Sequence, residues 1–142
     1  MVDAQRPAVT VEQVNAFLDS QFAGTGNRCH ELGPRHAVCR LDARTTVLRP
    51  GGIVSGPSVF GACDGALWYA IFGAVGIEAM ALTSELSIRF LRPARGEVLF
   101  ARADLDHVGR RSVVGTVRAW MEGDEATTVA VAQGTYVRPR TG

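Results

Sequence analysis

A chain of 142 residues is long enough for one sizeable core and too short for two of ordinary size, so a single domain spanning 1–142 with one site is expected. With 46% apolar residues, 20% charged residues and a formal net charge of +1, the composition is that of a globular protein. It gives no electrostatic reason to expect a nucleic acid or an anionic membrane as partner. The fifteen basic residues are all arginine, which codon usage explains as readily as anion recognition does. Cys29, Cys39 and Cys63 lack the paired spacing of zinc ligands, and their odd number fits reduced thiols in the cytoplasm better than a disulfide framework. The opening MVDAQRPAVTVEQVNAF carries an acid and a proline where a secretory signal has a basic cluster and an apolar run, so no export is expected.

In chain order, Thr10 and Gln13 make a capping box ahead of Val11, Val14, Phe17, Leu18 and Phe22, whose spacing predicts a short amphipathic helix. From Gly24 to Pro34 the sequence has turn formers and no period, which reads as a loop; residues 1–35 are thus expected as N-terminal helix and loop, and 36–138 as the core. Alternation from His36 to Leu41 puts Ala37, Cys39 and Leu41 on one face and predicts a first strand. Thr45 to Leu48 is a short β-branched run closed by Arg49-Pro50-Gly51-Gly52. Pro57 to Ile77 is nearly all apolar and about the ~20 residues that a bilayer span needs. Asp64, four internal glycines and the amphipathic segments that follow argue instead for a buried helix, capped by Ser55 or Gly56 and ending near Gly73 or Gly76.

Four strand-like segments come next: Ala81 to Leu91, Glu97 to Val108, Arg111 to Met121 and Ala126 to Val137. In the first, Leu82, Ser84, Leu86, Ile88 and Phe90 share one face, with Thr83, Glu85, Ser87 and Arg89 on the other, the pattern of a half-buried antiparallel strand. Short polar or Gly-containing turns join the last strands into a meander. A long helix apolar on every side must be surrounded, and one curved antiparallel sheet wrapped around it does this economically; the fold class is α+β.

Asp64 is the one side chain of PSVFGACDGALWYAIFGAVG that ordinarily carries charge at neutral pH. A carboxylate in such surroundings needs hydrogen-bond partners, a wet cavity or a role that uses it; it is either a site residue or a polar group satisfied by backbone or arginine. Ahead of it, the N-terminus of the helix offers free N–H groups with partial positive charge, and Gly56 is the donor best placed to polarise a carbonyl, since Pro57 has no N–H; taken alone, Gly-Gly-Ile-Val-Ser-Gly-Pro reads as a plain turn more readily than as a site. His30, His36 and His107 are scattered without acids at ligand spacing and read as surface residues, so no metal is expected. Cys63, Trp68, Tyr69, Phe60 and Phe72 read as core, although the aromatic residues have the positions to wall an acyl tunnel. No phosphate-loop or dinucleotide fingerprint is present.

The loop and helix RPGGIVSGPSVFGACDGALWYAI, followed by LTSELSIRFLRPARG and the final VAVAQGTYV, resemble the hotdog superfamily and, within it, the PaaI-like acyl-CoA thioesterases, over roughly His36 to Val137. The resemblance implies a hotdog fold and hydrolysis of an acyl-CoA at sites shared between the subunits of a homodimer, often paired into a homotetramer. No cofactor is implied beyond the coenzyme A carried by the substrate. It assigns Asp64 as general base or nucleophile, the Gly56 N–H as the group on the thioester carbonyl, and Thr83 as a hydroxyl near the catalytic water. Three positions depart from the family loop: Ser55 stands at its histidine, Pro57 at its second glycine and Arg49 at its asparagine. Ser55 is then expected to contact the carbonyl or cap the helix, and Arg49 to reach substrate or pair with Asp64. Arg110 or Arg111 is expected on the coenzyme A phosphates. The altered loop motivates a second reading, a non-catalytic acyl-CoA-binding subunit. A hotdog dehydratase is disfavoured because no histidine lies between Pro57 and Gly76.

Overall fold

The computed structural model describes residues 5–140. Its first helix, α1 (Val11–Gln21), opens on the expected capping box: Gln13 N–H donates to Thr10 Oγ1 at 3.1 Å, and Thr10 N–H donates to Gln13 Oε1 at 2.9 Å. Val14 and Leu18 are its buried face. The segment read as a loop contains a strand, β1 (Asn27–Leu32), which forms an antiparallel hairpin with β2 (His36–Asp42). Its period is absent because it is a sheet edge, broken by a bulge between Cys29 and Glu31, with Cys29 its one fully buried residue. In place of a neighbouring strand, the Asn15 side chain of α1 donates to Cys29 O and accepts from Cys29 N–H, both at 2.9 Å.

The β-branched run also resolves differently from expectation. Ala43–Thr45 is a 3-10 turn capped by the Asp42 carboxylate, and a two-residue hairpin of β3 (Leu48–Arg49) and β4 (Ile53–Val54) follows. Gly51 and Gly52 make its turn at φ 91° and 73°, backbone that side-chain-bearing residues rarely adopt. This hairpin delivers the chain to Ser55, the N-cap of the central helix α2 (Gly56–Val75).

After α2 come β5 (Leu82–Phe90), β6 (Val98–Val108), β7 (Ser112–Met121) and β8 (Thr128–Val137). The strand order is β1-β2-β6-β7-β8-β5, antiparallel throughout. By length and composition α2 is apolar enough to cross a membrane, but the sheet wraps it. Leu67, Tyr69, Ile71 and Phe72 from the helix are buried in one core with Leu99, Ala101, Ala103, Val117, Ala119 and Ala130 of the sheet. Small sheet residues let the helix approach closely. Gly115 and Gly134 are paired across β7 and β8, and a Cβ on either would stand within 3.0 Å of a Leu67 methyl carbon.

β5 departs from the half-buried strand that its alternation predicts. It is the other sheet edge, and only Leu86 and Ile88 are even partly buried; Leu82 and Phe90 are 58% and 54% exposed. A bulge between Thr83 and Glu85 inserts one extra residue, so Thr83 pairs with Tyr136 and Glu85 with Thr135. Strict alternation set Thr83 opposite Leu86 and Ile88. The bulge brings it to their face, against α2.

Candidate active site

Asp64 lies a little over two turns into α2 and is half-buried rather than enclosed, because the sheet leaves one side of the helix uncovered in a single chain. Two hydroxyls converge on the same oxygen: Thr83 Oγ1 of β5 donates to Asp64 Oδ1 at 2.7 Å, and the Tyr136 hydroxyl of β8 lies 2.6 Å from Oδ1. The Tyr136 hydroxyl is also 2.9 Å from the Asp64 backbone oxygen. Among the described residues no side chain donates to Oδ2. Burial first, then the charge of Asp64, pushes the Tyr136 phenol above the ordinary tyrosine range, so this hydroxyl keeps its proton. Among the described residues no arginine pairs with Asp64, so the expected Arg49 contact does not form within the chain.

Arg49, Ser55 and Gly56 come together elsewhere, around a cavity of about 770 Å³ at the N-terminus of α2, with Ile53, Phe90 and Pro93 among its apolar lining. Its size is that of a small-molecule pocket. Ser55 acts as the cap: its Oγ accepts from Ser58 N–H at 3.4 Å and donates to Ser58 Oγ at 3.0 Å. The Gly56 N–H belongs to the first turn, which has no intrahelical acceptor. The Phe90 ring lies beside Gly56, so close that a Cβ there would be 3.5 Å from Phe90 Cζ. Asp64 does not line this cavity. Eight residues of helix separate it from Gly56, a rise of about 12 Å.

Arg110 sits in a third place, a hollow of about 610 Å³ lined by Arg110, Arg111, Arg138, Pro139 and Arg140. Arg138 is anchored by Glu78, with Nη2 2.6 Å and Nε 3.0 Å from its two carboxylate oxygens. Arg110, Arg111 and Arg140 have no acidic partner among the described residues. Arg138 follows Tyr136 by two residues, just past the end of β8 and roughly 7 Å further along the chain, so the basic hollow lies near the Asp64 end of the sheet. Of the aromatic residues, Tyr69 and Phe72 are core, whereas Trp68 is half-buried and packs edge-on against Phe17 and Phe22.

Tyr136 is the functional candidate that reasoning from sequence missed. Its signal was its place on the last strand, where the face toward α2 reads Ala130, Ala132, Gly134, Tyr136, a polar hydroxyl after three small residues.

The family model of the thioesterase superfamily matches residues 51–128. The chain belongs to the thioesterase superfamily. Its fold is the hotdog fold, α+β with the sheet curved around α2. Among solved structures, a candidate thioesterase from Silicibacter sp. TM1040 is 30% identical, superposes with a TM-score of 0.86, and the match covers 97% of each chain. A thioesterase family protein from Silicibacter pomeroyi is 28% identical at a TM-score of 0.76, over 89% of this chain and 95% of that one. The E. coli PaaI protein of the phenylacetic acid degradation operon shares the fold at 23% identity and a TM-score of 0.75, over 92% of this chain and 94% of its own. No curated protein sequence matches the chain. The superfamily match spans Gly56, Asp64 and Thr83, while Tyr136 and Arg138 fall beyond it.

Proposed function

We propose that this thioesterase-superfamily chain hydrolyses an acyl-CoA to the free acid and coenzyme A, with Asp64 as the reacting carboxylate. The observation that carries the reading is the Asp64 carboxylate itself, oriented on one oxygen by Thr83 and Tyr136, with no donor to its second oxygen among the described residues. As general base, that oxygen takes a proton from water as the water oxygen attacks the thioester carbon. The tetrahedral oxyanion then collapses, the carbon–sulfur bond breaks, and the thiolate leaves and is reprotonated. As nucleophile, the carboxylate attacks the carbon itself and expels the thiolate, and water then hydrolyses the mixed anhydride. Label in Asp64 after a single turnover in ¹⁸O-water marks the nucleophilic route with water attacking the aspartyl carbon, and trapping of the anhydride with hydroxylamine detects that route when water attacks the substrate's acyl carbon instead.

Either route needs a donor for the oxyanion. The Gly56 N–H suits the role, and a preorganised donor of this kind contributes about 3–4 kcal/mol. It is about 12 Å of helix from Asp64 in the same chain, so the two cannot meet on one carbonyl unless a second copy supplies one of them. The free edge of β5, flanked by exposed Leu82, Phe90 and Leu91, is the surface such a copy would cover, making a homodimer with shared sites. In that assembly Arg49 and Ser55 line the substrate cavity. The hollow of Arg110, Arg111, Arg138 and Arg140 suits the phosphates of coenzyme A. Since these are the components of an intact site, the catalytic reading is preferred to a binding-only one.

The test is a panel of acyl-CoAs of varied chain length, scored both for free-thiol release and for thermal stabilisation. Thiol release with at least one acyl group supports the proposal; stabilisation without turnover across the panel would establish the binding-only protein instead.

A further inference from the structure

The two hydroxyls on Asp64 define which of its oxygens works. We propose that Tyr136 is a positioning residue for the hydrolytic carboxylate, sharing Oδ1 of Asp64 with Thr83 and thereby reserving Oδ2 for substrate or water. This rests on the thioesterase reading above and deepens it.

Counting protons makes the assignment. The Tyr136 hydroxyl has one proton and two oxygens of Asp64 within reach, Oδ1 at 2.6 Å and the backbone oxygen at 2.9 Å. The backbone oxygen of a residue in the middle of α2 already accepts the helical bond from four residues on. The carboxylate oxygen is closer and charged, and a charge-assisted bond is roughly twice as strong as a neutral one, so the proton goes to Oδ1. Thr83 Oγ1 supplies the second proton to the same atom at 2.7 Å. Oδ1 is thereby saturated, and Oδ2 keeps its lone pairs.

The two supports come from paired residues of adjacent strands, one buried and one at the sheet edge. Tyr136 is 5% exposed and registered against Thr83 on one side and Val113 on the other, and the bulge in β5 is what turns Thr83 toward it. The titratable groups around Asp64 hold their own protons. On α2 these are Cys63 and Tyr69, whose protons are held by burial, Cys63 being pushed up to about 12. From β8 the group is Tyr136, β5 offers the neutral Thr83, and no charged side chain is paired with Asp64 among the described residues. Phenylalanine at 136 would fill the same core space. The hydroxyl is therefore separable from the packing.

The experiment is Y136F, read in two ways. In protein labelled with ¹³C at aspartate carboxyls, with the Asp64 resonance assigned by its loss in D64N, the titration midpoint of Asp64 is followed by NMR. Losing a donor to the charged form raises that midpoint, and about a tenfold change in the protonation equilibrium is expected. With an acyl-CoA substrate, kcat falls tenfold or more while KM stays within about twofold. T83V, which removes the other donor to Oδ1, moves both readouts the same way, and T83S, which keeps a hydroxyl, restores them. A role confined to packing would lower the melting temperature and leave the midpoint and kcat in place, and that result overturns the proposal. If the wild type hydrolyses no acyl thioester, the thioesterase reading fails by itself. The NMR midpoint still decides whether Tyr136 holds the carboxylate.

Discussion

Substituting Gly115 by alanine tests whether the central helix is seated on the sheet through its glycines. The added Cβ would lie 2.6 Å from Leu67 Cδ2, 2.9 Å from the Asp104 backbone oxygen and 3.2 Å from Leu105 Cδ2. The Leu67 side chain is 2% exposed in the close-packed core, and the Asp104 oxygen is backbone of the neighbouring strand, so helix lift and a shift of that strand are both needed. Overpacking of this kind costs about 1–3 kcal/mol, and the two sub-3 Å contacts argue for the upper half of that range. At this chain length, about 2 kcal/mol lowers the melting temperature by roughly 6–8 °C. Leu67→Ala alone costs about 2–5 kcal/mol through its cavity. In the double variant the new methyl occupies part of that cavity, so the combined loss falls short of the sum by at least about 1 kcal/mol. Urea unfolding of the four proteins at one fixed protomer concentration measures this coupling. Strict additivity, or a G115A protein as stable as the wild type, would refute the packing argument. Because Leu67 is less than one turn beyond Asp64, the same lift loosens the Thr83 and Tyr136 bonds, and G115A should also lose kcat.

Further outcomes follow from three other parts of the molecule. Cys29 and Cys63, each pushed up to about 12 chiefly by burial, should resist a thiol reagent in the folded protein at pH 8 and react once it unfolds. These thiols keep their protons in the fold beyond the ordinary value of 9.0, so their contribution to stability is complete below about pH 9 and is lost as pH rises toward 12. Urea midpoints measured between pH 8 and 11 should therefore fall. In the arginine hollow, R110A with R111A should raise KM for an acyl-CoA about fivefold with little change in kcat, an effect worth about 1 kcal/mol. The KM of the matching N-acetylcysteamine thioester, which has no phosphates, should not move. At the β5 edge, L82E should convert a dimer to monomers in sedimentation and abolish activity with them; a dimer surviving the change would place the interface elsewhere.

Most of the architecture was legible in the sequence because the relevant patterns are long. The apolar run of α2 and the three strands after β5 extend over ten or more residues each, and the structure places their ends close to where turn residues put them, with Ser55, one of the two expected caps, as the N-cap of α2. The losses occur where a short or bulged segment breaks the period. β1 has one buried residue, a bulge and a side chain of α1 on its edge, so no alternation marked it. At β5 the alternation was real but the bulge at Ser84 reversed the face of Thr83, and strict alternation therefore separated two groups that the fold joins. Asp64 stood out as a charge in an apolar helix. Tyr136 did not, because an aromatic residue at the end of a buried strand is ordinary packing until the register shows what its hydroxyl meets.

If thioester hydrolysis turns on the Asp64 carboxylate, kcat for thiol release by Asp64→Asn on the best acyl-CoA is the quantity that reveals it. The amide keeps the size of the side chain and still accepts from Thr83 and Tyr136 through its oxygen, so folding should be preserved. A loss of at least about a hundredfold in kcat is expected, with a melting temperature near that of the wild type. A variant that retains activity within a few fold of the wild type would contradict it.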